Sequence, residues 1–150
     1  MDIEIKYGNN NMDFNIVTKL LSEVYWSPGI TIEEVKTASE NSTITAGAFL
    51  PEGRQVGFLR VVSDKVRFAY IMEVVVDPEF RKMGIGQKLV KSVVEKEEMK
   101  YVYSWVLRTR DAHGVYEKAG FKLIDNPEQW MVLRKKRGDR RFINITNTQN

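Results

Sequence analysis

An apolar strand, a glycine turn and a helix start follow one another without a break over residues 71–94. No other stretch constrains the fold of this chain as strongly. Ile71-Met72-Glu73-Val74-Val75-Val76 is apolar apart from one carboxylate, the pattern of a strand covered on both faces. Asp77-Pro78 ends it, because proline has no amide with which to continue a ladder. Arg81-Lys82-Met83-Gly84-Ile85-Gly86-Gln87 then leads into a helix expected over about 86–100, with Leu89, Val90, Val93 and Val94 on one stripe. The first amides of a helix have no partners within it, and the helix dipole favours an anion beside them. Gly84 and Gly86 would let the backbone approach such an anion, and Arg81 and Lys82 add positive charge. Taken alone, the junction predicts a phosphate-bearing ligand, although a Gly-X-Gly pair also serves helix packing. It lacks the third glycine of a dinucleotide fingerprint, since position 89 is Leu, and no Gly-Lys-Ser/Thr of a P-loop follows.

Around this junction the patterning alternates between strand and helix periods. Residues 2–7 alternate as a strand, and 9–11 read as a turn. Phe14, Val17, Leu20, Leu21 and Val24 recur at helical spacing. Trp26-Ser27-Pro28-Gly29 breaks that helix, and Thr31-Ile32-Glu33-Glu34 opens another with a capping box. Strands are expected at 43–49 and 55–62 across the Pro51-Glu52-Gly53-Arg54 turn, at 67–76 and at 101–107. A short helix over 111–119 is closed by Gly120, and 121–124 and 130–134 read as two last strands, a terminal hairpin. The order β-α-α-β-β-β-α-β-α-β-β implies a single α/β (α+β mixed) domain: a mixed, mostly antiparallel sheet flanked by about four helices. No repeat or linker divides it.

Composition narrows the chemistry. The 150 residues include no cysteine and one histidine, His113, which removes disulfides, thiolate nucleophiles and cysteine-based zinc sites and leaves a histidine-rich metal site without ligands. No metal is expected. Residues 134–141 hold six basic residues and one acidic; the other 17 basic and 19 acidic residues give the rest a slight negative balance. The basic character therefore belongs to a C-terminal tail (135–150), and neither nucleic acid nor membrane is the expected partner. Absence of a signal pattern or long apolar run makes a cytoplasmic location the expectation.

Two motifs in order carry a resemblance. Arg81-X-X-Gly84-X-Gly86 after Val76-Asp77-Pro78 resembles the acetyl-CoA-binding motif of the GNAT superfamily of N-acetyltransferases. Ala112-X-X-X-Tyr116-Glu117-Lys118-Ala119-Gly120-Phe121 is similar to that family's downstream Tyr-X-X-X-Gly-Phe signature. The resemblance covers about residues 2–134, and the domain is drawn as 1–134. It implies acetyl-CoA as co-substrate, with its pyrophosphate on the backbone of Arg81, Lys82, Met83, Gly84, Ile85, Gly86 and Gln87. It also implies a pantetheine arm along Val74, Val75 and Val76, where the strand splays from its neighbour. The family commonly has asparagine three residues before the alanine; here that position is Thr109.

Transfer of an acetyl group to an amine needs a proton acceptor for the nitrogen and a donor for the leaving thiolate. Tyr116 is the candidate acid, since a phenol keeps its proton at neutral pH, and the resemblance places it near the sulfur; otherwise it is a core tyrosine. Glu73 is the candidate base, its carboxylate desolvated among valines; it serves equally well to bind a cationic substrate or to pair with an arginine. Strand alternation puts Tyr70 on the opposite face from Glu73 unless a bulge intervenes. Asp111 reads as a helix cap or a substrate ligand, His113 as a surface residue that could touch substrate. Trp26 and Ser27 lie in the connection that walls the acceptor site in the family, where Trp26 could also be a packing staple. The expected partner is a small-molecule or peptide amine, the expected state a monomer or homodimer. The alternative is a non-catalytic coenzyme A-binding or sensor module of the same fold.

Overall fold

Among the described residues five strands hydrogen-bond in their order along the chain, and helices cover both faces of the sheet they form. The computed structural model describes residues 2–136. β1 (Glu4–Tyr7), β2 (Ile44–Phe49), β3 (Gln55–Ser63) and β4 (Phe68–Val76) pair antiparallel, and β5 (Ser104–Val106) joins β4 in parallel. α1 (Phe14–Ser22) and α2 (Ile32–Glu40) cover one face; α3 (Ile85–Val94) covers the other, with the short α4 (His113–Glu117) after β5. The expected mixed, mostly antiparallel sheet with four helices is what the described residues form. Among the described residues no helix is long and apolar enough to cross a membrane.

Local chemistry accounts for the helix starts. The Asp13 carboxylate accepts the amides of Asn15 and Ile16, at 3.1 and 3.2 Å, and so caps α1. Thr31 and Glu34 form the expected capping box on α2, each side chain accepting the other's backbone amide. Buried Gln55 holds α1 to the sheet: its Oε1 accepts the Asp13 amide at 2.7 Å and its Nε2 donates to the Gly57 carbonyl at 3.0 Å.

Two cores follow from the two faces. Ala46, Ala48, Leu59, Val61, Ala69 and Ile71 meet Ile85, Leu89, Val90 and Val93 beneath α3. Phe49, Phe58 and Val75 meet Val17, Leu20, Leu21 and Val35 beneath α1 and α2. Each fully buried side chain of this size contributes about 1.5–3 kcal/mol.

Several boundaries differ from the sequence expectation. The strand expected over 101–107 is confined to Ser104–Val106, and the helix expected over 86–100 ends at Val94, with a separate 3-10 turn at Glu97–Met99. The helix expected over 111–119 contracts to His113–Glu117. Neither of the last two expected strands forms: residues 121–124 and 130–134 enter no ladder, and a 3-10 turn at Pro127–Gln129 lies between them. Most of the basic run, from residue 137 onward, lies outside the described residues.

Gly57 sets how closely α3 can lie on β3. A Cβ there would stand 3.1 Å from Leu89 Cδ1 and 3.3 Å from Ile85 Cγ2. Gly57→Val is expected to lower unfolding free energy by about 1–3 kcal/mol through overpacking, read from the urea midpoint; an unchanged midpoint would contradict this packing.

Candidate active site

β4 carries one residue more than its partner needs. Phe58 pairs with Val75 and Arg60 with Met72, so Glu73 and Val74 together oppose the single Leu59. This is a β-bulge, and Glu73 takes a left-handed φ of 59° within it. Such a conformation costs a non-glycine residue of order 1–3 kcal/mol.

The extra residue resets which way the strand points. Ala69 and Ile71 belong to the core under α3, and beyond the bulge so do the positions of Val74 and Val76, while Val75 turns into the opposite core. Plain alternation would have put Glu73 and Val75 under α3. Instead Glu73 shares the α1/α2 face with Arg60 and, by alternation from Ile71, with Tyr70; the bulge places Tyr70 and Glu73 on one side.

On that face the Glu73 Oε2 accepts from Arg60 Nε at 2.8 Å, with each side chain only 12% exposed. Arg60 Nη1 also donates to the Ser42 hydroxyl at 3.3 Å. The carboxylate is thus not isolated among valines: it pairs with an arginine. A signal for Arg60 was present: it is the one charged residue in Val56-Gly57-Phe58-Leu59-Arg60-Val61-Val62, in a strand adjacent to the one where Glu73 is the sole charge.

Past the bulge the sheet opens. β4 pairs with β5 only from Phe68 opposite Ser104 to Tyr70 opposite Val106. Residues 72–76 keep β3 on one side and meet no described strand on the other. Their free edge leads directly to the glycine turn. Asp77 stabilises the intervening 3-10 turn by accepting the Glu79 amide at 2.9 Å, and Arg81 Nε folds back onto the Val76 carbonyl at 3.3 Å. Lys82 and Gly84 are both left-handed, at φ 64° and 79°, and α3 starts from Gly84 with no side chain capping its first amides. Backbone amides gathered around left-handed residues at a helix start form a concavity suited to an anion. Arg81, Lys82, Met83 and Gly84 are exposed; Gly86 and Gln87 are half-buried, and the Ile85 side chain goes into the core. A Cβ on Gly86 would stand 3.8 Å from the Val76 and 3.9 Å from the Val74 side chain, in the gap between helix and strand.

Tyr116 lies on the α3 side, packed with Ala119 and Phe121 against that core, its ring 6.3 Å from Phe121. Burial pushes its phenol above the usual value, and the negative charge of Asp111 adds to the rise. Asp111 itself is exposed and does not cap α4; its helix cap is Ala112, whose amide donates to Thr109 Oγ1 at 3.0 Å. His113 is exposed. Trp26 is exposed beside Tyr25, rings 5.1 Å apart, whereas Ser27 is buried and donates its hydroxyl to the Leu21 carbonyl at 2.6 Å. Arg110 lays its guanidinium 3.6 Å from the Tyr25 ring centre, joining the loop before α4 to the loop after α1. Sequence reasoning missed this contact, because nothing in the spacing of residues 25 and 110 announces it.

The sequence model described as the Acetyltransferase (GNAT) domain matches residues 40–123, the stretch from the end of α2 through the bulge, the glycine turn and Tyr116. The chain belongs to the GNAT acetyltransferase family. A solved structure assigned to the GNAT family, from Xanthomonas campestris pv. campestris, is 31% identical and superposes with a TM-score of 0.83 over 90% of this chain and 94% of that one. Glucosamine-6-phosphate N-acetyltransferase from Arabidopsis thaliana shares the fold at 17% identity, TM-score 0.67, over 91% of this chain and 99% of that one. The uncharacterised N-acetyltransferase ycf52 of Gracilaria tenuistipitata var. liui is 30% identical over 91 residues, which are 59% of this chain and 50% of that protein. The match thus spans half the length of that relative.

The Arg60–Glu73 pair is nearly excluded from water, so removing one partner should cost far more than removing both. Arg60→Met is expected to destabilise by about 3–5 kcal/mol, with much of this recovered in Arg60→Met/Glu73→Gln; additive losses in a double-mutant cycle would contradict the coupling. A phenol raised in the folded state binds its proton more tightly there than when unfolded. Tyr116 should therefore contribute stability below about pH 10 that is lost as pH rises beyond it. Parallel alkaline unfolding curves for the native chain and Tyr116→Phe would refute this.

Proposed function

We propose that this chain transfers an acetyl group from acetyl-CoA to a primary amine of a small molecule or peptide, by direct attack with both substrates bound. The observation that carries the reading is the free edge of β4 running into an uncapped, left-handed helix start. Bound there, acetyl-CoA supplies an activated acyl carbon and a thiolate leaving group. The residues present fit it. Amides from Lys82 to Gln87 would take the pyrophosphate, with Arg81 and Lys82 supplying charge. The open edge at Val74 and Val76 would take the polar groups of the pantetheine arm, and Gly86 leaves the passage clear where a larger residue would narrow it. Val75, turned into the opposite core, contributes backbone only.

In the transfer a nitrogen–carbon bond forms, the carbon–sulfur bond breaks, one proton leaves nitrogen and one reaches sulfur. Tyr116 is assigned the sulfur proton: its raised phenol holds a proton at neutral pH. Glu73 is assigned the nitrogen proton, directly or through a water, with Arg60 engaging Oε2 and fixing the carboxylate's direction. Tyr70 on the same face and Trp26 in the loop after α1 border the acceptor, and Ser27 shapes that loop from within. Asp111 acts through its charge on Tyr116.

Acetyl-CoA should raise the melting temperature, and Gly86→Val should abolish that shift. No shift at millimolar acetyl-CoA would overturn the reading. Tyr116→Phe should retain the shift while lowering turnover on the best amine of a panel by about a hundredfold. Binding without turnover on any polyamine, aminoglycoside, amino acid or peptide N-terminus would instead favour a non-catalytic coenzyme A module.

A further inference from the structure

Ser39, in the last turn of α2, is 1% exposed, yet its hydroxyl is unused. Among the described residues its Oγ has no hydrogen-bond partner. Its carbonyl, by contrast, accepts both the Asn9 side-chain amide, at 3.3 Å, and the Ser42 backbone amide, at 3.2 Å. A buried hydroxyl without a partner is costly and uncommon. Ser39 lines a cavity of about 280 Å³ together with Tyr7, Ser42, Thr43, Thr45 and Lys96, close to the ~300 Å³ at which small-molecule pockets begin. The cavity lies at the start of β2. Because β2 runs antiparallel to β3 and β3 to β4, this is the end of the sheet away from the glycine turn.

The walls of the cavity are held by bonds of their own. Thr45 donates its hydroxyl to Asn9 Oδ1 at 2.9 Å, and Ser42 donates to the Ala38 carbonyl at 2.7 Å. Thr43 donates to the Ser63 carbonyl at 3.0 Å and accepts the Ser63 amide at 2.9 Å. Each of these hydroxyls keeps a lone pair for a further donor, and Ser39 offers both a donor and an acceptor. Charge at the cavity is already matched. The Lys96 ammonium lies 3.7 Å from the Tyr7 ring centre and 3.8 Å from Glu98 Oε1, and the other Glu98 oxygen is 3.0 Å from Lys65 Nζ. Paired charges and a set of fixed hydroxyls suit a neutral molecule that donates and accepts at several points.

We propose that this cavity binds a small neutral polyol, of the size of a monosaccharide, with the Ser39 hydroxyl as one of its anchors. The site is an effector site, distinct from the junction of β4 and α3, and its occupancy is felt at the candidate active site through two side chains. Ser42, which lines the cavity, accepts from Arg60 Nη1 at 3.3 Å, and Arg60 Nε donates to Glu73 Oε2 at 2.8 Å. A ligand hydroxyl on Ser42 Oγ would displace the guanidinium that directs the Glu73 carboxylate. Coupling of this kind is reciprocal, so a change at Glu73 would alter the affinity of the cavity by the same factor.

The probes are D-ribose, D-glucose and myo-inositol, each titrated at millimolar concentration into the full chain while its amide resonances are followed. At least one should give saturable shifts at Gly8, Ser39 and residues 43–45, and should move the Arg60 Nε–H resonance with the same midpoint. Ser39→Ala removes a hydroxyl that bonds to nothing described, so it should melt no lower than the native chain while raising the dissociation constant of that probe about three- to tenfold. No saturable shift with any of the three, an unchanged affinity in Ser39→Ala, or an Arg60 resonance that stays in place at saturation would overturn the proposal. A lower melting temperature for Ser39→Ala would overturn it too, since the hydroxyl would then already have a partner. None of these readouts needs turnover, so they decide this site independently of the proposed acetyl transfer.

Discussion

Between Phe58 and Arg60 the strand β3 advances two residues while β4 advances three, and the geometry around the candidate site depends on that mismatch. The surplus residue changes which side chains face which core: Val74 and Val76 are carried under α3, Val75 under α1 and α2, and Glu73 out to Arg60. It also bends the strand, as bulges do, and the pairing with β5 does not extend past Tyr70. The open edge, the position of Gly86 beside two valines, and the side on which the one strand carboxylate emerges belong to one local irregularity. The left-handed φ at Glu73 is its conformational cost, and the side chain it turns out ends in an ion pair almost shielded from solvent.

Much of this was legible in the sequence, for identifiable reasons. The helix stripes and the capping box are repeated or short-range patterns, and the helices form on those stripes although two of them end short of the expected bounds. The glycine turn was legible because proline, glycine and a following stripe each carry backbone information. The bulge was not. It is a difference in register between two strands, and no residue type in Glu73-Val74 demands it; a left-handed glutamate is the opposite of what local preference would choose. The terminal strands failed for another reason. Alternation and β-propensity specify a surface that suits a sheet, but they do not specify a neighbour, and among the described residues 121–124 and 130–134 enter no ladder.

On the proposed reading the two proton-handling groups lie on opposite faces of the sheet, Tyr116 under α3 and Glu73 toward α1 and α2. The opening between β4 and β5 is the passage joining the faces. Thr109, where the family commonly has asparagine, uses its hydroxyl to fix the Ala112 amide at the start of α4, which sets the loop leading to Tyr116.

The loop after α1 divides its labour between neighbouring residues. Ser27 is sealed inside and tied to Leu21, and the Ile30 amide returns to the Ser27 carbonyl, so the course of the chain is set from below. Tyr25 and Trp26 stand above that course, both exposed, with Tyr25 held by the Arg110 guanidinium and Trp26 resting on Tyr25. Substitution at Trp26 can therefore alter the outer surface of this loop without unfolding the domain, and on the proposed reading that surface is where a change would redirect the choice of acceptor.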